Sequence, residues 1–507
     1  WRTFPTVRNE RWFHGNVVLL GDAAHTAHFS IGSGTKLAME DAIALVEAFR
    51  QHRDGPLPRV LADYEASRKA EVGRLQTAAE TSLAWFENSA RLVDLDPLTF
   101  TFSLLTRSKR ITYDNLRRRD PSLVERVTTR FAGEAGRAAG SFVSAGSNPA
   151  PPAFQPFPLR GLTLANRIVV SPMCQYSCDD GTISDWHLVH LGSRAIGGAG
   201  LVFGEATHVA ADARISPGCA GMYKPEHVAA WKRVVDFVHR HSGAKIGLQL
   251  AHAGRKGSAT RPWEGDIPLR EGGWPLLAAS AIPFDEGWPT PRAMDHADMD
   301  RVRFQFVRAA LMAHEAGFDM LELHMAHGYL LASFISPLTN WREDEYGGAI
   351  DNRMRLPLEV FDGVRAVWPQ EKPISVRISA TDWAKGGTSS ADRVAIGRRL
   401  KARGCDIVSV SGGSTVPDQR PVYGRMFQVP FSEEIRLEAG IPTMTVGNVQ
   451  DADQANTILA AGRADLVVLA RGHLADPYFT LHAAAAYGVD VPWPVQYLAA
   501  RPASRKG

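Results

Sequence analysis

The chain has 507 residues, of which 45% are hydrophobic and 22% are charged. This length exceeds one ordinary domain and predicts two or three, one of which could be a large barrel. A formal net charge of +3 and the lack of an 18-residue apolar run predict no nucleic-acid partner, no membrane span and no signal peptide. Four scattered cysteines are too few for a disulfide framework, which favours a reducing cytoplasm.

The first segment begins with a short apolar strand, a Gly-Asp turn and an amphipathic helix. Residues 16–25 read NVVLLGDAAH, and a broad apolar stripe of helical period starts at Gly34. Glycines at positions 21, 32 and 34 would let backbone N–H groups approach an anion, but a plain connection of small residues is the alternative interpretation. Residues 59–90 continue the helical pattern.

Three short runs in this segment carry a family resemblance: GDAAH at 21–25, GSG at 32–34 and MEDA at 39–42. Together they resemble the second flavin motif of FAD-dependent aromatic hydroxylases of the salicylate hydroxylase type. The resemblance implies that Asp22 contacts the ribityl chain of FAD.

That family opens on a glycine-rich dinucleotide fingerprint, which has no counterpart in this sequence, and the chain starts on Trp1 instead of Met. We therefore expect residues 1–132 to be the mainly helical C-terminal part of a monooxygenase domain. This part is expected to bind FAD only together with a missing N-terminal segment.

Two basic clusters and a low-complexity stretch follow. The clusters at 107–110 and 117–119 are interpreted as solvated faces, with a coenzyme A phosphate site as the alternative. Residues 133–153 are rich in Gly, Ala, Ser and Pro and lack apolar periodicity, which predicts a linker between two domains.

From residue 154 to residue 507, apolar strands alternate regularly with helical patterns. The helical patterns include 226–241, 299–316, 352–368 and 391–403. This alternation predicts an α/β fold, a closed (β/α)8 TIM barrel of parallel strands covered by helices. The predicted strands are 167–173, 201–207, 245–251, 319–325, 373–379, 406–411, 442–447 and 465–470.

In such a barrel, functional side chains gather at the carboxyl ends of the strands. Glycine and arginine after the last two strands offer bare N–H groups and a fixed cation, which indicates a phosphorylated ligand. In chain order, the candidate residues at the strand ends are Cys174, Tyr176, Ala206, Gln249, His324, His327, Tyr329, Arg377, Gly447, Arg471 and Gly472.

These strand ends resemble the old yellow enzyme family of FMN oxidoreductases, and the resemblance covers essentially residues 154–500. It implies FMN as the cofactor and NAD(P)H as the reductant. It places Gln249 and Arg377 at the pyrimidine edge of the flavin, and Cys174 and Ala206 against its ring. It also implies a phosphate held by Gly447, Arg471 and Gly472. For Cys174, a buried apolar thiol is the alternative interpretation.

The same resemblance assigns the chemistry. His324 and His327 would bind a carbonyl or phenolate oxygen and draw electron density from a conjugated double bond, so that hydride from flavin N5 adds to its β-carbon. Tyr329 would donate a proton to the α-carbon, and Tyr176 would close the pocket. A His-x-x-His pair also suits a metal, but zinc needs a third protein ligand, so no metal site is predicted. The cysteine spacing predicts no iron–sulfur cluster.

The combination of the two segments resembles the bifunctional salicylyl-CoA 5-hydroxylase/oxidoreductases and 2-aminobenzoyl-CoA monooxygenase/reductases. Residues 255–258 and 422–427 match this group better than they match generic ene-reductases. The predicted function is the reductase part of such an aromatic acyl-CoA enzyme. The alternatives are a stand-alone enone reductase and, from another class, a metal-dependent barrel hydrolase. Close relatives complete their site with an arginine from a neighbouring subunit. Here Arg501 stands two residues later than expected, so a homodimer stays open.

Overall fold

The structure of the chain, a computed structural model, describes residues 4–140 and 149–502. The chain divides into two compact units, Trp1–Asp120 and Pro121–Gly507. In the described part, no helix is both long and apolar enough to cross a bilayer.

The first unit is mainly helical, as predicted. A hairpin of Phe13–His14 and Val17–Val18 is followed by short 3-10 turns at Gly21–Ala23, Phe29–Ile31 and Ser89–Leu92. Its helices start where caps satisfy the first backbone N–H groups, with Asp96 and Thr112 accepting such bonds. The helices are Gly34–Gln51, Leu57–Glu87, Pro97–Thr106 and Tyr113–Arg119.

A fully buried carboxylate ties this unit together. Asp41 accepts hydrogen bonds from the backbone N–H of Gly21, from His25 Nε2 at 2.7 Å and from Arg68 Nε at 2.8 Å. The apolar stripe predicted on Gly34–Gln51 is only partly covered, because Leu37 is buried while Ile43 is 62% exposed. The face that packs is therefore narrower than the pattern predicted.

Helix Pro121–Ala138 belongs with the second unit and differs from the predicted domain boundary. Its Phe131 ring lies 4.7 Å from the guanidinium of Arg167, and Ala132 and Ala135 are buried. The linker predicted at 133–153 therefore starts inside a helix, because alanine and glycine pack closely here without showing an apolar period. Residues 141–148 of the predicted linker lie outside the described residues.

The second unit is the predicted closed parallel barrel. Eight strands within the described residues form the barrel; they pair in sequence order, and the last pairs with the first. They are β1 Ile168–Val170, β2 Leu201–His208, β3 Lys245–Ala251, β4 Met320–Met325, β5 Ile374–Ser379, β6 Ile407–Ser411, β7 Thr443–Thr445 and β8 Leu466–Leu469.

Helices surround these strands and bury their apolar faces. The longest is His296–Glu315, which starts at a capping box formed by Asp295 and Asp298. The helices are Asp185–Ile196, Pro225–His241, His296–Glu315, Leu330–Ile335, Ile350–Arg353, Arg355–Val367, Ser390–Ala402, Val429–Glu434, Ala452–Ala460, Arg471–Ala475 and Phe479–Tyr487.

An antiparallel hairpin closes the amino-terminal end of the barrel. Strands Phe157–Leu159 and Leu162–Leu164 pack Phe157 and Leu164 against Leu201 and Met320 in one buried cluster. Leu201 and Met320 begin β2 and β4. The opposite end, where the strands end, stays open, and the polar residues described below lie there.

Buried neutral histidines should make the barrel sensitive to acid. Burial lowers the pKa of His208 to about 3, and burial lowers the pKa of His252 and of His473 to about 4. Below pH about 6.5 these histidines become protonated in the unfolded chain but stay neutral in the folded chain. The free energy of unfolding therefore decreases as the pH falls towards 4. Each histidine contributes about 1.4 kcal/mol per pH unit in that window.

Denaturant unfolding at pH 7, 6 and 5 measures this slope. The His473→Gln variant is the matched control, since a glutamine amide can replace the bond that His473 Nδ1 makes to the Leu469 carbonyl. It should lower the slope by about 1.4 kcal/mol per pH unit. A stability that stays flat between pH 7 and 5 would contradict the prediction.

Candidate active site

A large cavity opens at the carboxyl ends of the strands. It has a volume of about 990 Å³ and extends from Ser171 and Arg377 to the loops after β7 and β8. The predicted phosphate residues Gly447, Arg471 and Gly472 all line it. The cavity is also lined by residues that sequence reasoning did not single out for the site, which include Ser411, Gln428, Asn448 and Gln450.

Two buried polar atoms in this cavity wall have no hydrogen-bond partner among the described residues: Arg377 Nε and Gln428 Oε1. Leaving such atoms unpaired is costly, so a ligand that pairs with them is favoured. Gly447, with φ +114°, lets the chain approach Gln428 closely, because a Cβ at position 447 would lie only 2.8 Å from Gln428 Cβ. The unpaired donor of Arg377, the unpaired acceptor of Gln428 and the predicted phosphate residues line the same cavity, and this combination fits a phosphorylated cofactor such as FMN.

A buried carboxylate, Glu322 on β4, organises the floor of the site. Gln249 Nε2 donates to Glu322 Oε1 at 2.6 Å, and Ser375 donates to Glu322 Oε2 at 3.3 Å. Burial raises the pKa of Glu322, and the nearby guanidinium of Arg377 opposes this effect. Because the amide nitrogen of Gln249 is held by Glu322, its carbonyl oxygen is the atom left to accept from a ligand.

The histidine pair is connected to the cavity wall through Ser411, which lines the cavity. His324 Nε2 and His327 Nδ1 are 3.3 Å apart, and His327 Nε2 is 2.8 Å from Ser411 Oγ. The backbone N–H of Ala326 donates to His324 Nδ1, so the hydrogen-bond network assigns the proton of His324 to Nε2. His327 then accepts at Nδ1 and donates to Ser411 from Nε2.

Both histidines are neutral donors at physiological pH. Burial lowers the pKa of His324 and of His327 well below 6.5, and repulsion from Arg377 and Lys256 lowers both further. His327 also has φ +61°, a strained conformation for a residue with a Cβ, and its N–H donates to Ser379 Oγ at 2.9 Å. The turn after β4 is therefore held by β5 and β6.

The predicted proton donor and its neighbours form an apolar cluster beside the histidines. The Tyr329 ring lies 5.0 Å from the His324 ring, edge to face. Cys174, Tyr176 and Tyr329 pack against Ile215, Cys219 and Ala253. Burial raises the pKa of Tyr329 and of Cys174 well above their ordinary values, so both stay protonated. Ala206 lies opposite Gln249 in the pairing of β2 and β3, next to a bulge.

The predicted FAD contact belongs to the first unit. Asp22 lies in the turn Gly21–Ala23 and is exposed to solvent. In the first basic cluster, Arg107 is not free for a phosphate, because it donates to Ser82 Oγ at 2.9 Å and to the Ser30 carbonyl at 2.8 Å. At the other end of the chain, Arg501 pairs with Asp490.

Some site residues were missed by sequence reasoning. Glu322 offered a signal, because it is a charged residue on an apolar strand two positions before His324 and therefore on the same face. Gln428 offered none, since it stands far from the strand end that it approaches. Positive φ angles at Tyr176, His327, Ser414 and Asn448 mark the strained turns around the site, and they are visible only in the structure.

Comparison with known proteins identifies the family of the barrel. The family of NADH:flavin oxidoreductases / NADH oxidases matches residues 152–487, and an FAD binding domain matches residues 3–79. The NADPH dehydrogenase of Geobacillus thermodenitrificans is 47% identical over 346 residues, covering 68% of this chain and 97% of that protein. The NADPH dehydrogenase of Listeria innocua is 44% identical over the same length. Morphinone reductase in complex with tetrahydroNAD has a similar structure, with a TM-score of 0.57 and 29% identity over 69% of this chain and 94% of that chain.

The match decides against the hydrolase alternative. In addition, the described residues contain no group of three His, Cys, Asp or Glu side chains placed to hold a metal ion. The cofactor that the family match indicates is the FMN that the cavity fits. The chain belongs to the NADH:flavin oxidoreductase / NADH oxidase family, with an old-yellow-enzyme-type FMN oxidoreductase barrel that follows an FAD binding domain segment.

Proposed function

We propose that the barrel uses NADPH to reduce a carbon–carbon double bond conjugated to a carbonyl group. The observation that carries this proposal is the contact between the cavity and the histidine pair, because Ser411 lines the cavity and is also bonded to His327. The names of the NADPH dehydrogenases support NADPH as the reductant. Bound FMN supplies hydride transfer.

The residues of the chain polarise the substrate and supply its proton. A carbonyl oxygen that displaces the bonds from His324 Nε2 to His327 and from His327 Nε2 to Ser411 would receive both N–H groups. Neutral donors suit this role, because they polarise the carbonyl without transferring a proton to it. Tyr329, protonated and 5.0 Å from the His324 ring, then protonates the α-carbon, and Tyr176 covers the substrate.

We further propose an aromatic acyl-CoA thioester as the natural substrate and the reductase part of a bifunctional monooxygenase/reductase as the biological role. The FAD binding domain match at 3–79 supports this, because the monooxygenase part of such an enzyme would use FAD. Residues 255–258 and 422–427 support it by their resemblance to the bifunctional group. Tyr423 lines the cavity and is 74% exposed, which leaves it available to a bulky substrate.

A stand-alone enone reductase is the second candidate, because the NADPH dehydrogenases match the barrel over 97% of their length. A homodimer is part of the proposal in either case. The four cysteines are all free thiols, which supports the proposed cytoplasmic location.

Turnover by the purified chain separates these functions. The purified chain should show flavin absorbance at about 450 nm, and it should oxidise NADPH when an acceptor is present. An acyl-CoA enzyme should turn over salicylyl-CoA or 2-aminobenzoyl-CoA and show little activity with cyclohexenone, and an enone reductase should show the reverse. Protein without the flavin absorbance after reconstitution with FMN would contradict the cofactor assignment.

A further inference from the structure

The Lys256 side chain forms hydrogen bonds to two turns beside the histidine pair. It ends the 3-10 turn Gly254–Lys256, which follows β3. Its ammonium donates to the carbonyl oxygen of His327 at 3.0 Å and to that of Ser414 at 2.9 Å. Both accepting residues have a φ of +61° and belong to the loops after β4 and β6. Lys256 therefore links three strand ends around the histidine pair.

The same ammonium faces the ring of the proposed proton donor. Lys256 Nζ lies 5.1 Å from the centroid of Tyr329 and 4.5 Å from the centroid of Phe284. Tyr329 also contacts the rings of the neutral histidines His324 and His327, and it packs against apolar groups and neutral thiols. A phenolate formed there would be poorly solvated, and a cation at this distance is the group that stabilises it.

The other charged groups near Lys256 do not replace it. Arg255 is turned towards the loops, where it donates to the carbonyl oxygens of Pro283 and Thr415. The histidines are neutral, and the charge of Asp266 disfavours a phenolate, since it raises the pKa of Tyr329. Burial lowers the pKa of Lys256 to about 8, with Asp266 raising it and Arg255 lowering it, so the ammonium is present at neutral pH and is lost under mild alkali.

We propose that Lys256 is a positioning residue whose ammonium stabilises the phenolate of Tyr329 as this tyrosine gives its proton to the substrate. The inference rests on the proposed double-bond reduction. The substrate accepts a hydride at its β-carbon, and the electron pair of its double bond becomes an enolate. The O–H bond of Tyr329 breaks, a C–H bond forms at the α-carbon, and the negative charge moves to the phenolate, which later takes a proton from water.

A direct test measures the acidity of residue 329 without requiring turnover. A difluorotyrosine at position 329 of the holoenzyme is more acidic than tyrosine, and fluorine NMR follows its ionisation. In the Lys256→Arg variant the guanidinium stays charged while residue 329 ionises, whereas Lys256 itself loses its proton near pH 8. The pKa of residue 329 should therefore be about one to two units lower in Lys256→Arg than in Lys256→Met, which has no cation near the ring.

Lys372→Met is the matched control. Lys372 also binds a carbonyl, that of Phe318 at 2.7 Å, and lies 5.3 Å from the ring of Trp368, but it stands at the start of β5 at the other end of the barrel. This variant should leave the pKa at position 329 unchanged. Equal pKa values at position 329 in Lys256→Arg and Lys256→Met would overturn the inference, whatever substrate the enzyme uses.

Kinetics provide the second readout. With cyclohexenone or the thioester as acceptor, wild-type double-bond reduction should fall as the pH rises through about 8, where Lys256 loses its proton. Lys256→Met should be about tenfold slower at neutral pH, by Brønsted behaviour of the proton donor, and should lack this alkaline decline. If neither acceptor is reduced while the fluorine shift is present, the proposed function fails and the interaction between Lys256 and Tyr329 stands.

Discussion

Replacing Tyr329 with phenylalanine should slow double-bond reduction by about a hundredfold to ten-thousandfold, because a positioned proton donor contributes that much to rate. The ring packing against His324 is kept, and only the hydroxyl group is lost. Reduction of the holoenzyme by NADPH requires no proton from Tyr329 and should therefore change by less than about twofold. Rapid-mixing measurements of the two half-reactions check both statements.

Tyr176→Phe is the matched control for Tyr329→Phe. Tyr176 packs in the same cluster and contacts Trp263 edge to face at 5.9 Å, but its proposed role is to cover the substrate. Its loss should raise KM more than it lowers kcat. If Tyr329→Phe slowed both half-reactions equally, a structural role would explain the loss, and the assignment of the proton donor would be wrong.

Replacing Arg377 with methionine should cost both cofactor binding and stability. The free energy of unfolding should fall by about 1–3 kcal/mol, because the carboxylate of Glu322 stays buried and loses the attraction of the Arg377 charge. FMN affinity should fall by a further 1.5–3 kcal/mol, roughly tenfold to a hundredfold, since a hydrogen bond from a charged group is lost. Denaturant unfolding of the apoprotein and titration with FMN measure the two effects.

The pH dependence of Arg377→Met has a definite sign. Without Arg377 the pKa of Glu322 rises further, and a carboxylate with a raised folded-state pKa destabilises the fold above its unfolded pKa. The stability loss should therefore be smaller at pH 5 than at pH 8. In the double variant with Glu322→Gln, most of the lost stability should return, because the uncompensated charge is gone. A double variant no more stable than Arg377→Met would show that Glu322 and Arg377 are not coupled.

The sequence predicted the barrel because its signals are local. Each strand is a short Val-, Ile- and Leu-rich run between helical patterns, and burial on both faces requires such composition. The predicted strands 201–207 and 245–251 correspond to Leu201–His208 and Lys245–Ala251. The domain boundary was harder, because helix Pro121–Ala138 packs with Ala132 and Ala135, which carry little apolar signal.

From the sequence, only those residues of the candidate site could be predicted that lie at strand ends or in recognisable motifs. Arg377 lies in a strand that the sequence identifies, and Gly447, Arg471 and Gly472 stand at or after the ends of two others. The structure places all four around one cavity. Gln428 could not be found, because its place beside Gly447 depends on how a long loop folds back. The apolar stripe on helix Gly34–Gln51 is a second example, because a helical period in the sequence does not show how much of the apolar face is buried.

The sequence by itself determined a parallel barrel, its strand order and the residue types at its open end, because period, composition and spacing are properties of the chain. The tertiary structure alone decided which groups act on one another. The hydrogen bond from Gln249 to Glu322, the bond from His327 to Ser411 and the contact of the Lys256 ammonium with the Tyr329 ring each join different strands or the turns that follow them. Their protonation and polarity depend on burial and on distances of a few ångströms, which only the closed barrel fixes.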